Sequence, residues 1–177
     1  MRKVLGPSFY SRPAPVVARE LLGKFLVRRV RGRELAGMIT ETEAYEGLDD
    51  LASHASRGRT PHTEVMFGES GRWYVYLIYG MYSMLNIVTG PNGHPSAVLI
   101  RGTDMVSGPG RLTRALAVTK TENANRATKE TGLWIEDRGT RVPSRRIRNT
   151  PRIGVAYAGE HWAAKPWRFV YDPDDVS

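Results

Sequence analysis

The 177-residue chain carries 26 Lys and Arg against 18 Asp and Glu, a formal charge of +8 with a pI near 10.0. Its length is one domain's worth, able to bury roughly 70% of the unfolded surface, and 41% hydrophobic with 25% charged residues is a globular balance that excludes a disordered chain. The absence of cysteine excludes a disulfide scaffold, a thiol nucleophile and Cys-ligated zinc or iron–sulfur centres. The apolar runs Trp73 to Ile78 and Ser96 to Ile100 are too short to cross a bilayer, and the first thirty residues lack a signal-peptide core. No membrane association is therefore expected, and a cytoplasmic (nucleoid-associated) or nuclear location rather than a secreted one. The basic excess fits an acidic partner such as nucleic acid, and equally fits a mere solubility setting.

In chain order, Val16, Val17, Leu21 and Leu22 follow Pro13 at helical spacing and Gly23 stands where a left-handed C-cap would sit, so the pattern predicts a helix over about 13 to 22. Lys24 to Val30 and Glu34 to Tyr45 read as strands joined by the turn Arg31-Gly32-Arg33, a hairpin. Asp49 to Thr63 is polar and reads as an irregular loop. Trp73 to Tyr79 and Tyr82 to Val88 are aromatic and β-branched runs meeting at Gly80-Met81, a second hairpin. A buried strand is expected at Ala97 to Arg101, and a helix at about 110 to 117 with Leu112, Ala115 and Leu116 on one face. Thr119 to Thr131 is polar and gives no clear pattern. Short strands are expected at Leu133 to Ile135, Ile153 to Tyr157 and Trp167 to Tyr171. No repeat or linker divides the chain. The expectation is one α+β domain over 1–177, with a curved, mostly antiparallel sheet, a few helices and a protruding β-hairpin.

Three features between Thr40 and Arg101 carry chemistry. Along the strand Thr40-Glu41-Thr42-Glu43-Ala44-Tyr45, Glu41, Glu43 and Tyr45 share one face. Two carboxylates and an aromatic suit a cleft wall holding a general base, and also suit a solvated edge strand whose charges block aggregation. His54 and His62 lie in the polar loop. With Glu43 and Asp50 they could ligate a metal, but no HExxH spacing fixes two ligands on one element, so no metal is expected. On the second hairpin Tyr74, Tyr76 and Ile78 face one way and Trp73, Val75, Leu77 and Tyr79 the other. Trp73 and Tyr74 fit sheet packing, whereas Tyr79 at the tip beside Gly80 is a candidate wedge for a stacked nucleobase. No nucleotide-binding glycine fingerprint or phosphate loop is present, and no cofactor is expected.

Taken together, Glu41-Thr42-Glu43-Ala44-Tyr45 to His54, Tyr74 through Tyr82 to Asn86, and Val98-Leu99-Ile100-Arg101 closely resemble the alkyladenine (3-methyladenine) DNA glycosylase family. The resemblance runs from Leu21-Leu22-Gly23-Lys24 through Gly108-Pro109-Gly110-Arg111-Leu112 to Arg152-Ile153-Gly154-Val155 and Trp167-Arg168-Phe169. Each short motif is weak alone; their order and spacing are specific. The chain departs from the family where Val170 to Asp175 turns acidic, and where Thr119 to Thr131 is unusually polar.

The resemblance implies a monofunctional enzyme without lyase activity. It would flip alkylated or deaminated purines (3-methyladenine, hypoxanthine, ethenoadenine) out of double-stranded DNA and hydrolyse the N-glycosidic bond, initiating base excision repair. By motif position Glu43 would activate water, Arg101 would help hold it, and the backbone near Val155 would complete its shell. Tyr45, His54 and Tyr76 would sandwich the flipped base, since electron-poor alkylpurines stack well on electron-rich rings. Tyr79 would intercalate, and Asn86 would crowd the amino group of normal guanine. Met81 and Tyr82 would touch the DNA. Arg145, Arg146 and Arg148, within an acid-free arginine run from Arg138 through Arg141 to Arg152, would meet phosphates. The protein is expected to act as a monomer. A damaged-DNA-binding module without chemistry is the alternative.

Overall fold

In a computed structural model that describes residues 2–174, the chain builds β1 (Lys3–Val4), α1 (Pro7–Tyr10), α2 (Ala14–Leu21), β2 (Phe25–Val30), β3 (Arg33–Glu46), β4 (Trp73–Ile78), β5 (Tyr82–Val88) and β6 (Ser96–Thr103). It continues through α3 (Pro109–Ala115), β7 (Leu133–Asp137), β8 (Ile147–Thr150), α4 (Glu160–Ala163) and β9 (Arg168–Tyr171). All nine strands join one sheet in the order β1-β7-β2-β3-β6-β5-β4, with β9 added to β3 and β8 to β9, and every pairing is antiparallel. This is the α+β architecture expected. Among the described residues no helix is long and apolar enough to cross a membrane. Asp175, the last of the expected acidic run, lies outside the described residues.

The hub is β3, whose fourteen residues serve two neighbourhoods in turn. Its first half, Arg33 to Met38, pairs with β2; its second half, from Ile39, pairs with β6 and, at Glu41 to Glu43, also with β9. Strand alternation then divides the side chains by face. Toward one face go Thr42, Val75, Ile87, Val98 and Ile100. There α2 docks with Val17, Ala18 and Leu21, and the Thr42 hydroxyl donates to the Ala18 carbonyl at 2.8 Å. Burying Val17 and Leu21 completely contributes about 1.5–3 kcal/mol each. Glu46 at the end of β3 accepts from the Ala14 N–H at the start of α2, a carboxylate at the positive end of the helix. The opposite parity, Glu43, Tyr45, Tyr74, Tyr76, Asn86, Leu99 and Arg101, is left for the other face.

The α2 and α3 boundaries fall within a residue or two of expectation, with small reversals of facing. Val16 points outward, and Gly23 takes its left-handed φ of 82° immediately beyond α2, where a Cβ would meet Val142 at 2.7 Å. In α3, Ala115 is exposed. Thr113 is buried instead, because its hydroxyl donates to the Ser83 carbonyl at 2.8 Å. The polar stretch after Val118 opens with a 3-10 turn, Lys120–Glu122, closed by a capping box with Thr119; buried Glu122 pairs with Arg28 at 2.8 Å.

One expected strand is corrected. Ile153 to Tyr157 has strand-like composition, but Gly154 at φ 76° and Gly159 at φ 82° break extended backbone on either side, and the segment forms a turn followed by the 3-10 turn Ala156–Ala158. Conversely β8 forms inside the arginine run, where Ile147 and Thr150 are half-buried and Arg148 and Asn149 exposed, a pattern without the period-two signal of a strand.

Candidate active site

The ladder between β3 and β6 is irregular at one point. Ile39 faces Thr103 and Thr42 faces Ile100, but between them Glu41 faces Gly102, so Thr40 and Arg101 are each left without a cross-strand partner. The two bulges cancel in register, and bulges re-aim side chains. Here Arg101 enters a cavity of about 550 Å³ together with Tyr45, His54, Tyr74, Tyr76, Asn86, Leu99 and Val155. A cavity of this size is within the range of small-ligand sites.

Glu43 lies behind the cavity wall with its side chain 0% exposed. Its Oε1 accepts the Ile153 N–H at 2.8 Å and its Oε2 accepts the Tyr45 hydroxyl at 2.8 Å; Arg101 Nη1 stands 3.4 Å from Oε2. Burial and the Glu43 charge push the Tyr45 phenol well above its ordinary value, so it stays protonated and donates. Beyond Glu43, Glu41 Oε1 accepts from Arg101 Nε at 3.1 Å and from Arg168 Nε at 2.6 Å. The shared face of Glu41, Glu43 and Tyr45 is therefore a cleft wall and not a solvated edge. The backbone contact to the carboxylate comes from Ile153, two residues before the expected Val155, which is buried and lines the cavity.

The aromatic part of the wall is larger than expected. His54 and Tyr76 meet at 4.5 Å between ring centroids, Tyr74 and Tyr76 at 5.2 Å, and His62 lies 5.5 Å from His54 and 5.9 Å from Tyr76. Tyr74 packs in a buried cluster with Met66, Phe67 and Val88, as expected, and also lines the cavity, with its hydroxyl 3.1 Å from His54 Nδ1. Trp73 does belong to the core. Burial, followed by the neighbouring charges of His62 and Arg57, lowers the His54 pKa, while burial raises that of Tyr74. The pair is thus a phenol hydrogen-bonded to a neutral imidazole, and which of the two donates is set by the His54 tautomer. Among the described residues no group of three or more His, Cys, Asp or Glu is arranged to hold a metal ion. Asn86 donates its amide to the Tyr74 and Met84 carbonyls at 3.1 and 3.4 Å, which leaves its side-chain oxygen for the cavity.

At the cavity mouth stands the β4–β5 tip, where the Met81 N–H bonds the Ile78 carbonyl at 3.1 Å. Tyr79 and Gly80 both have positive φ, 52° and 67°. That conformation costs a non-glycine residue roughly 1–2 kcal/mol. Tyr79 is 88% exposed, Met81 70% and Tyr82 45%; Tyr79 and Tyr82 line the mouth with Arg111 and Tyr157. Arg111 and Tyr157 escape sequence reasoning because Arg111 lies in the first turn of α3, whose apolar face drew the attention, and Tyr157 lies in a segment that reads as a strand.

The arginine run does not act as a unit. Arg145 and Arg148 are exposed and stand outside the cavity wall, as does Arg146, which donates to the Asp172 carbonyl at 2.8 Å and packs over Tyr171. Arg138 pairs with Glu136 at 2.8 Å. Arg152 is buried, and no phosphate can reach it. It grips Asp50 bidentately at 2.6 and 2.9 Å, donates to the Ala44 and Trp162 carbonyls, and lies 4.8 Å from the centroid of Tyr45. It supports the wall from behind.

The sequence matches the model of the methylpurine-DNA glycosylase family over residues 8–107 and 102–175. It is 49% identical over 183 residues to a Myxococcus xanthus protein, covering 98% of this chain and 93% of that one. It is 48% identical over 172 residues to an Anaeromyxobacter dehalogenans (strain 2CP-1) protein, covering 93% and 80%, and 45% identical over 176 residues to a Legionella pneumophila (strain Paris) protein, covering 96% and 94%. All three relatives are provisionally named 3-methyladenine DNA glycosylase.

Proposed function

The chain belongs to the methylpurine-DNA glycosylase family and is a DNA N-glycosylase of DNA repair, and from that premise we propose that it flips a damaged purine nucleotide out of duplex DNA into the cavity and releases the base by water attack. The observation that carries this reading is Glu43: a carboxylate buried behind an aromatic cavity, with one donor on each oxygen and a guanidinium close by. Oε1 has a single donor and keeps a free lone pair, so the carboxylate can orient a water and take its proton. As the base departs the sugar gains oxocarbenium character, which the same negative charge stabilises.

The wall supplies recognition. Tyr45, Tyr76 and His54 offer faces and edges to a planar base, and rings favour the cationic alkylpurines. A neutral His54 does not repel such a cation. Neutral lesions such as hypoxanthine and ethenoadenine enter on stacking alone, and the Asn86 side chain crowds the amino group that distinguishes guanine. Arg101 completes the shell of the water with Val155. Tyr79 fills the gap left in the stack, Met81 and Tyr82 lie against the backbone, and Arg145, Arg146 and Arg148 add phosphate attraction that falls with salt. Among the described residues the cavity wall includes no lysine, which favours plain hydrolysis over an imine and lyase step. The protein works as a monomer, wherever genomic DNA resides.

The test is base release from duplexes carrying 3-methyladenine, hypoxanthine or ethenoadenine, with the wild type and Glu43→Gln. The wild type should leave an abasic product, and the variant should lose about 10²-fold or more, the usual contribution of a general base. Duplex binding without base release by the wild type would instead identify a binding module, and full activity in Glu43→Gln would remove the assigned mechanism.

A further inference from the structure

Resting on the reading of Glu43 as the base, we infer that Glu41 is a positioning residue that holds the Arg101 guanidinium off Glu43, so that the base keeps lone pairs free for water. Arginine and carboxylate left to themselves prefer a bidentate pair with both N–H···O distances near 2.7–2.9 Å. Arg152 and Asp50 form that pair in this molecule. Arg101 and Glu43 do not, although they share a wall: their single contact is 3.4 Å, longer than any of the contacts that Glu43 receives from Ile153 and Tyr45.

The cause lies on the other side of Arg101. Its Nε donates at 3.1 Å to Glu41 Oε1, the same oxygen that Arg168 Nε reaches at 2.6 Å from β9, and Arg168 is itself anchored by Nη1 to the Thr150 hydroxyl at 3.0 Å. Two guanidinium groups thus converge on one carboxylate oxygen, in a place where the Glu41 and Arg101 side chains are 14% and 13% exposed. At such partial burial the attraction between the groups is only partly screened. The bulge at Arg101 swings its side chain to where both carboxylates are in reach, and Glu41 holds it by Nε. Among the described residues Arg101 Nη2 has no hydrogen-bond partner, so it remains available to a water or a phosphate.

Without the Glu41 charge, Arg101 would close bidentately on Glu43, occupying the lone pairs the water needs and drawing electron density from the base. The charged or titratable groups that face Glu43 are Tyr45 and Glu41 from β3, Tyr76 from β4, Arg101 from β6, Arg168 from β9 and Tyr157 after the turn at Ile153. Loss of the Glu41 charge removes a partner from Arg168 as well, but of the two guanidinium groups Arg101 is the one already in contact with Glu43.

The experiment is single-turnover base release by full-length wild type, Glu41→Gln, Arg101→Gln and the double variant on one lesion duplex, with the dissociation constant and pH–rate profile of each. Glu41→Gln should slow the chemical step about tenfold with duplex affinity within twofold, and should move the acid-side inflection of the profile to lower pH. The double variant should be no slower than Arg101→Gln alone, because Glu41 acts through Arg101. Glu41→Asp, which keeps the charge, should fall between. Wild-type rate in Glu41→Gln, losses that multiply in the double variant, or a slowed step with an unmoved profile would each overturn the inference. An inactive wild type would overturn the glycosylase reading instead.

Discussion

The cavity wall and the hairpin tip are built on opposite principles. At the wall, the polar groups are tied to partners distant in sequence, beside a few local bonds: Glu43 to Ile153 and Arg101, Arg152 to Asp50 and Trp162, His54 to Tyr74. At the tip, Tyr79 to Tyr82 hold together by one local turn bond, the backbone is strained, and the rings face solvent. The difference matches what the proposed mechanism asks of each region. Stabilising a developing charge requires dipoles fixed before the reaction starts, and only many long-range bonds fix them. Entering a base stack requires a ring that is displayed and costs little to withdraw from water. The strained backbone at the tip goes with a Tyr79 ring that is displayed and not packed on its own sheet.

The sharpest way to break this comparison is at Arg152. If the wall depends on its long-range ties, Arg152→Met leaves Asp50 buried without its partner and should destabilise the fold by about 3–5 kcal/mol, read by denaturant unfolding. An arginine that merely contacts phosphate would show no such loss and would instead weaken DNA binding. Next in size is Glu43→Gln. The amide fills the same space, so unfolding should change little while base release falls about 10²-fold, near 2.7 kcal/mol in the barrier. A fold that collapses together with the activity would mean that Glu43 is there for structure.

Tyr79→Gly sharpens the comparison from the other side. Glycine adopts the φ of 52° without penalty, so the variant should be more stable than wild type by roughly 1 kcal/mol, the lower end of the left-handed cost. Its affinity for a lesion duplex should nonetheless fall. A region where one substitution improves the fold and impairs binding is specialised for binding. A variant with unchanged affinity would take the wedge role away from Tyr79.

The same division decides how much was legible in the sequence. The tip and its strands were readable because period-two alternation and Tyr79-Gly80 are local signals. The strand from Thr40 to Tyr45 was readable too, and with it the face that Glu41, Glu43 and Tyr45 share. What stayed hidden was every part of the wall supplied by geometry and not by residue type. The donor from Ile153 is a backbone N–H, invisible in any motif, in a segment whose β-branched residues imitate a strand. The paired bulges at Thr40 and Arg101 leave no compositional mark. Arg152 looked like one more exposed cation because its partner Asp50 lies a hundred residues earlier, and the place of Tyr74 in the cavity wall, beyond its packing, was hidden because its hydroxyl partner is on a loop.

The smallest effect expected concerns His54, where the wall meets the irregular loop. Its pKa is lowered in the folded protein, first by burial and then by His62 and Arg57, whereas in the unfolded chain it titrates near 6.5. As pH falls through about 6.5 the unfolded chain takes up the proton first, so the folded state loses stability until the lowered folded value is passed. The contribution of His54 is therefore fully present above about pH 6.5 and declines below it. Thermal unfolding of wild type and His54→Gln between pH 7.5 and 5 isolates this term, since the carboxylates contribute alike to both. The wild type should lose more stability than the variant over that range, and parallel curves would show that His54 can be charged within the wall. A charged imidazole there would repel a cationic purine, so the same measurement bears on which lesions the cavity can hold.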